Sequence, residues 1–212
     1  MKTIFKIPVL LLALMLVVSC GKGSKSNKED KKTIDNEELK SRFSNDLTLS
    51  FQYFLDKDYE KGFDLINPEM FNIISKEEMI QSIEMMLDEN IVGFKITTSP
   101  PNVTKISERF DFEGYKYYRV YYKTSMEMQV VNEDYLLNIE NIKTNIENQY
   151  SQISDSIKFD SSSNTLIFEG VQSSSIASAE INNDNWRYVE YKNDNILNQI
   201  FPAEVMAKLT KL

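Results

Sequence analysis

The period of the apolar residues changes once along this chain, near Asn90, and that change narrows its folds to a few. Before it, Leu39, Phe43, Leu47, Phe51, Phe54 and Leu55 recur at steps of three and four, the spacing that gathers side chains on one face of a helix. After it, apolar residues tend to alternate, the spacing of strands. Helices first and a meander of strands afterwards is an α+β pattern, with N-terminal helices packed on a curved, mostly antiparallel sheet.

The helical part reads as three segments. One long amphipathic helix begins at Asp35, where Glu38 completes a capping box. A short helix carries Tyr59, Phe63 and Ile66, with Asp58 as its cap, and stops at Asn67-Pro68, because proline lacks a donor and restricts the residue before it. A third opens at Ser75 with Glu78 and places Met79, Ile80, Ile83, Met86 and Leu87 on one face. Strands are expected at Ile91 to Thr97, Val103 to Phe112, Tyr115 to Met128, Ser156 to Asp160, Thr165 to Glu169, Ser174 to Ile181 and Trp186 to Tyr191. Pro100-Pro101, Glu113-Gly114, Ser161 to Asn164 and Asn182 to Asp184 supply turns. A further helix is expected over Glu133 to Ile153, and two short ones from Ile196 to Phe201 and from Pro202 to Leu209. Residues 37–212 thus read as one α+β domain.

Ahead of the domain, residues 1–19 combine Lys2 and Lys6 with a run from Ile7 to Val18 that only Pro8 interrupts. At about 12 residues the run falls short of the roughly 20 that span a bilayer as a helix, so it reads as a signal peptide. Leu16-Val17-Val18-Ser19-Cys20 resembles the lipobox of bacterial lipoproteins, which implies that Cys20 is lipidated and becomes the mature N-terminus. The resemblance thus implies a lipoprotein of the cell envelope, with the outer membrane, on its periplasmic or surface face, as the favoured location. Cys20 is also the single cysteine, so an intramolecular disulfide is excluded and packing alone must stabilise the fold.

From Cys20 to residue 36 the chain is polar and lysine-rich, a composition that suits a flexible tether. Within it, Lys28-Glu29-Asp30 resembles the surface-export signal of some lipoproteins. The whole chain has 24 Lys+Arg against 32 Asp+Glu, a formal net charge of −8, and the excess acid lies after the tether. An acidic domain is a poor partner for nucleic acid, whose binding starts from a positive face. Membrane attachment is left to the acyl anchor at Cys20.

Within the domain, the stretch Phe54 to Phe71, with Asp56-Lys57-Asp58-Tyr59-Glu60 and Leu65-Ile66-Asn67-Pro68, followed by Ser75-Lys76-Glu77-Glu78, resembles the opening of nuclear transport factor 2-like domains. Trp186-Arg187-Tyr188-Val189-Glu190-Tyr191 and Ile200 to Val205 resemble the ending of envelope members of that superfamily. The resemblance implies a conical (cystatin-like) fold in which a curved sheet wraps a long helix. It implies either a noncatalytic module that binds a small-molecule or protein ligand, or an isomerase or dehydratase-like enzyme with an acid or base and a tyrosine inside the cone. A third alternative it implies is a structural or assembly module that forms a homodimer through the sheet. The helical segment at 133–153 departs from the family, where a short connection is usual.

Histidine is absent, so Ser-His-Asp and Cys-His arrangements and imidazole metal ligands are excluded. No motif calls for a cofactor or metal, and no catalytic residue can be assigned. Asp56 to Asn67 fails as a calcium loop because Lys61 occupies the glycine position and Asn67 that of the bidentate acid. Asp155, Asp160 and Asn164 read as a hairpin turn. Alternation along Tyr115 to Lys123 puts Tyr115, Tyr117, Arg119, Tyr121 and Lys123 on one face, opposite a core face of Tyr118, Val120, Tyr122 and Met126. The first face is expected either to be solvent-facing sheet surface or, through Tyr117, Arg119 and Tyr121, to orient a polar or anionic ligand, with Trp186 a further ligand contact. For an enzyme the acid or base would come from Asp111, Glu127 or Glu169.

Replacement Cys20→Ala is expected to abolish incorporation of labelled fatty acid and to release the protein from membranes into the soluble fraction; continued membrane retention would show a different attachment.

Overall fold

A computed structural model of the protein describes residues 33–191 and 194–209, with side chains from Glu37 onward. The export segment, Cys20 and the tether up to residue 32 lie outside the described residues. The fold is α+β, with a seven-stranded antiparallel sheet that does not close on itself. The described chain divides into two compact units. One comprises Glu77–Pro100 and Lys123–Gln172; the other comprises 33–76, Pro101–Tyr122 and the residues from Ser173 onward.

The second unit begins with α1 (Thr33–Leu55), followed by α2 (Tyr59–Phe63) and a 3-10 turn over Pro68–Asn72. Helix α1 starts two residues before the expected cap, inside the expected tether. Asp58 holds the N-cap position of α2, but its side chain makes no capping bond; its carboxylate pairs with Lys61 instead. The strands of this unit are β2 (Asn102–Ile106), β3 (Phe110–Phe112), the first half of β4 (Tyr115–Val130), the second half of β6 (Thr165–Glu180) and β7 (Arg187–Glu190). The expected strand over 103–112 is broken at Ser107. That residue donates its N–H to the Arg119 carbonyl and accepts the Arg119 N–H on its own Oγ, each at 2.8 Å, so a side chain replaces a ladder carbonyl. Glu113 and Gly114, with φ of 48° and 82°, form the two-residue turn that sets the Phe112↔Tyr115 register.

Both faces of this part of the sheet are covered. On one, Phe43 of α1, fully buried, meets Trp186, Tyr118 and Tyr188 edge-on at ring separations of 5.0, 5.8 and 6.0 Å, among Val103, Ile106 and Val120. On the other, Tyr117, Ile176 and Val189 pack with Leu197, Phe201, Val205 and Leu209 of α7 (Asp194–Ile200), α8 (Ala203–Leu209) and their junction.

In the first unit, most of α3 (Lys76–Leu87) and a short α4 (Glu89–Val92) precede β1 (Phe94–Thr98). Gly93, at φ 78°, ends α4 in the left-handed conformation that its lack of a Cβ permits. Strand β1 pairs with the second half of β4, and β5 (Ser156–Asp160) with the first half of β6. The single helix expected over 133–153 is two helices, α5 (Glu133–Leu136) and α6 (Ile139–Tyr150), separated where Asn138 restarts the turn beside an exposed Leu137. The two strands expected at 165–169 and 174–181 are one. Gly170, at φ 63°, keeps the strand going where any Cβ would collide with the Asp155 carboxylate. One sheet face in this unit is apolar: Phe94, Met126, Met128, Val130, Leu166 and Phe168 are buried, with Tyr150 edge-on to Phe168 at 5.2 Å.

Truncation Phe43→Ala is expected to cost about 3–5 kcal/mol by urea unfolding, since it empties the meeting point of three rings. Burial pushes the Tyr150 phenol up to about 12 from 10.0. The folded state therefore keeps its proton where the unfolded chain loses it, and stability falls as pH rises from 10.0 toward about 12. Tyr150→Phe, which removes no side-chain hydrogen bond, should make that alkaline fall measurably shallower.

Candidate functional site

Tyr117, Arg119 and Tyr121 share one strand face, as their alternation requires, and Tyr191 of the segment after β7 joins them. The Arg119 guanidinium lies 3.8 Å from the Tyr191 ring centre and 4.9 Å from that of Tyr121. It donates to Ser174 Oγ through Nε and Nη2, each at 3.4 Å, and to the Leu209 carbonyl through Nη1 at 3.2 Å. Among the described residues it has no carboxylate partner. A cation held by rings, a hydroxyl and the last carbonyl of α8 fastens that helix to the sheet.

The expectation that this face is solvent-facing sheet surface holds at its ends, where Tyr115 is exposed and Lys123 partly so, and fails in its middle. Tyr117 is 6% exposed and packs on Phe201 at 6.1 Å between ring centres, because α7 and α8 cover the face. The Tyr121 hydroxyl is buried without a hydrogen-bond partner among the described residues, and burial raises the pKa of Tyr117 and Tyr121 above the ordinary phenol value, with Arg119 drawing that of Tyr121 back. Trp186 is not part of this cluster. It lies against Phe43 and Tyr118 on the opposite face, with the Lys116 ammonium 5.0 Å from its ring centre and paired with Asp184.

The carboxylates considered for acid–base work lie apart. Asp111 takes two bonds from Arg109, at 2.6 and 2.9 Å. Glu169 is exposed and held below the usual carboxylate range by hydrogen bonds from Lys158 and then Ser156. Glu127 is exposed on β4. A phenol–carboxylate group does occur on the Trp186 side: Tyr122 neighbours Ser173, Ser175 and Glu190, and its pKa is driven upward chiefly by burial. The hairpin expected around Asp160 and Asn164 is present, with Asp160 accepting from Ser162 N, Ser162 Oγ and Ser163 Oγ at 2.9, 2.7 and 2.8 Å. Among the described residues no three metal-ligating side chains come together.

The accessible site lies in the first unit, on the uncovered face of its strands. A depression of about 380 Å³ is lined by Lys95 and Thr97 of β1, Glu127 and Gln129 of β4, Thr165 and Ile167 of β6, and Asp160 and Ser163 of the β5–β6 hairpin. Register explains the grouping, since Lys95 faces Gln129 and Thr97 faces Glu127 across β1 and β4, while Asp160 faces Thr165 across β5 and β6. Gln129 Nε2 donates to the Ser163 carbonyl at 3.3 Å, and Thr165 Oγ1 and Ser163 Oγ are 2.9 Å apart. The Lys95 ammonium and Glu127 carboxylate are both exposed, and neither has a partner among the described residues. The sequence signal for this site is the polar member of each alternating pair, and it becomes a site only once the strand order β1-β4-β6-β5 is known. A second depression, about 390 Å³, is formed by Gln81, Glu84, Met85, Asp88 and Ile91 on α3 and α4.

Neither the sequence nor the fold matches a protein-family model, a curated protein or a solved structure.

Arg119→Met should leave the sheet folded while loosening α8: a loss of about 2 kcal/mol in urea unfolding together with faster tryptic cleavage at Lys208 is the expected outcome.

Proposed function

We propose that this is a lipid-anchored protein of the cell envelope, held by Cys20 at the outer membrane on its periplasmic or surface face, and that its domain binds a small polar ligand without catalysing a reaction. The anchor rests on the signal-peptide pattern and on Leu16-Val17-Val18-Ser19-Cys20. The binding role rests on one observation above others: the depression over β1, β4, β6 and the β5–β6 hairpin carries a cation and a carboxylate, Lys95 and Glu127, that have no ion-pair partner among the described residues, amid hydroxyl and amide groups. Such a surface orients a polar ligand by matched hydrogen bonds and charges. The noncatalytic part of the reading draws support from the carboxylates. A general acid working near neutral pH needs a raised pKa, whereas Asp111 is tied to Arg109 and the pKa of Glu169 is depressed.

On the same reading the α+β fold is a nuclear transport factor 2-like one. A long first helix, short helical segments around Asn67-Pro68, and then long strands in an antiparallel sheet support it; the helix pair α5 and α6 is an addition to that plan.

A thermal-shift screen of the full-length protein against amino acids, sugars and nucleotides tests the binding role. At least one class should raise Tm, and Thr97→Trp, which fills the depression from an exposed edge-strand position, should abolish the rise. A screen in which no class raises Tm, or a rise that survives Thr97→Trp, would overturn the role.

A further inference from the structure

The charges around the depression specify more than polarity. Lys95, an exposed cation, stands on β1. Glu127, an exposed anion, stands two register pairs along on the neighbouring strand, on the same face, and no ion pair joins the two. Diagonal neighbours on adjacent strands are near enough for long side chains to meet, so both heads remain available to one ligand. The third charge, Asp160, sits two strands beyond Glu127 in the order β1-β4-β6-β5, about 10 Å at the usual strand spacing. It is fixed in place by three hydrogen bonds from Ser162 and Ser163. Between the acids lie Gln129, Thr165 and the single apolar lining residue, Ile167.

We propose that the depression binds a cationic zwitterion, a molecule with one carboxylate and two ammonium groups, as in a basic amino acid or a short peptide ending in one. The ligand carboxylate meets the Lys95 ammonium and its α-ammonium meets Glu127. A lysine-length aliphatic stem then crosses Ile167 and brings its terminal ammonium to Asp160. The lining contributes one positive and two negative groups, so a ligand of net charge +1 leaves none of the three unmatched. This inference rests on the binding role proposed above and adds the chemical class of the ligand.

Titration of the full-length protein, purified in detergent, with L-lysine, alanyl-lysine, norleucine and maltotriose, followed by the amide signals of Thr97 and Gln129, separates the outcomes. Saturable binding of L-lysine or alanyl-lysine at millimolar concentration or below is expected, and which of the two binds more tightly distinguishes a free amino acid from a peptide. Norleucine, lacking the second ammonium, should bind about fivefold more weakly, as should the better probe to each of Lys95→Met, Glu127→Gln and Asp160→Asn, in keeping with exposed ion pairs worth up to about 1 kcal/mol. Equal binding of norleucine and lysine, or binding of lysine indifferent to Glu127→Gln, would overturn the zwitterion. Binding of maltotriose alone would overturn it too while leaving the binding role standing; binding of none of the four, with an empty thermal-shift screen, would remove both.

Discussion

Burial along β6 changes from one face to both, and much of the structure follows from that change. From Thr165 to Gln172 buried positions are interrupted by half-buried and exposed ones, whereas Ser174 to Ala179 are buried without a break. A strand enclosed on both faces has nowhere to leave a polar side chain in water, so each must find a partner. The serines here do so across the unit they occupy. Ser173 bonds Glu190, Ser174 takes the Arg119 guanidinium, Ser175 neighbours the Tyr122 phenol, and Ser178 receives Asn67. Small hydroxyls let helices approach the sheet from both sides, and their partners then determine which residues lie beneath those helices.

The same rule separates the two chemistries found in the molecule. Where the sheet is enclosed, Arg119 is shared among two tyrosine rings, a serine and the end of α8, and its charge is used in holding the C-terminal helices. Where one face stays open, Lys95, Glu127 and Asp160 stand around a depression, with Asp160 held in place by the Ser162 N–H and the Ser162 and Ser163 hydroxyls. A structural cation and an available one are distinguished by cover, not by residue type. Asp111, Glu127 and Glu169 are all exposed on their strands, without the burial that prepares a carboxyl group for proton transfer near neutral pH.

Most elements are legible in the sequence, and the departures have local causes. The long helix, the two-residue turn at Glu113-Gly114 and the alternation through Tyr115 to Tyr122 depend on neighbours a few residues apart. The break at Ser107 depends on Arg119, twelve positions on, and the continuity of β6 through Gly170 depends on Asp155; neither partner is visible in a local window. The tyrosine face was readable as a face, but not as one that α7 and α8 would cover. The depression is not legible in the sequence, because Lys95, Glu127 and Asp160 are ordinary surface residues until strand pairing gathers them.

By itself, the sequence determined the things that need only composition and short-range periodicity: the α+β class, a fold stabilised without a disulfide, a chain without histidine chemistry, and a lipobox-like stretch ending at Cys20. Tertiary structure decided which polar residues are partners and which are free. That difference is physical, since a side chain's role as a structural tie or as a binding group depends on whether another part of the chain covers it, and cover is a property of contacts between residues far apart in sequence.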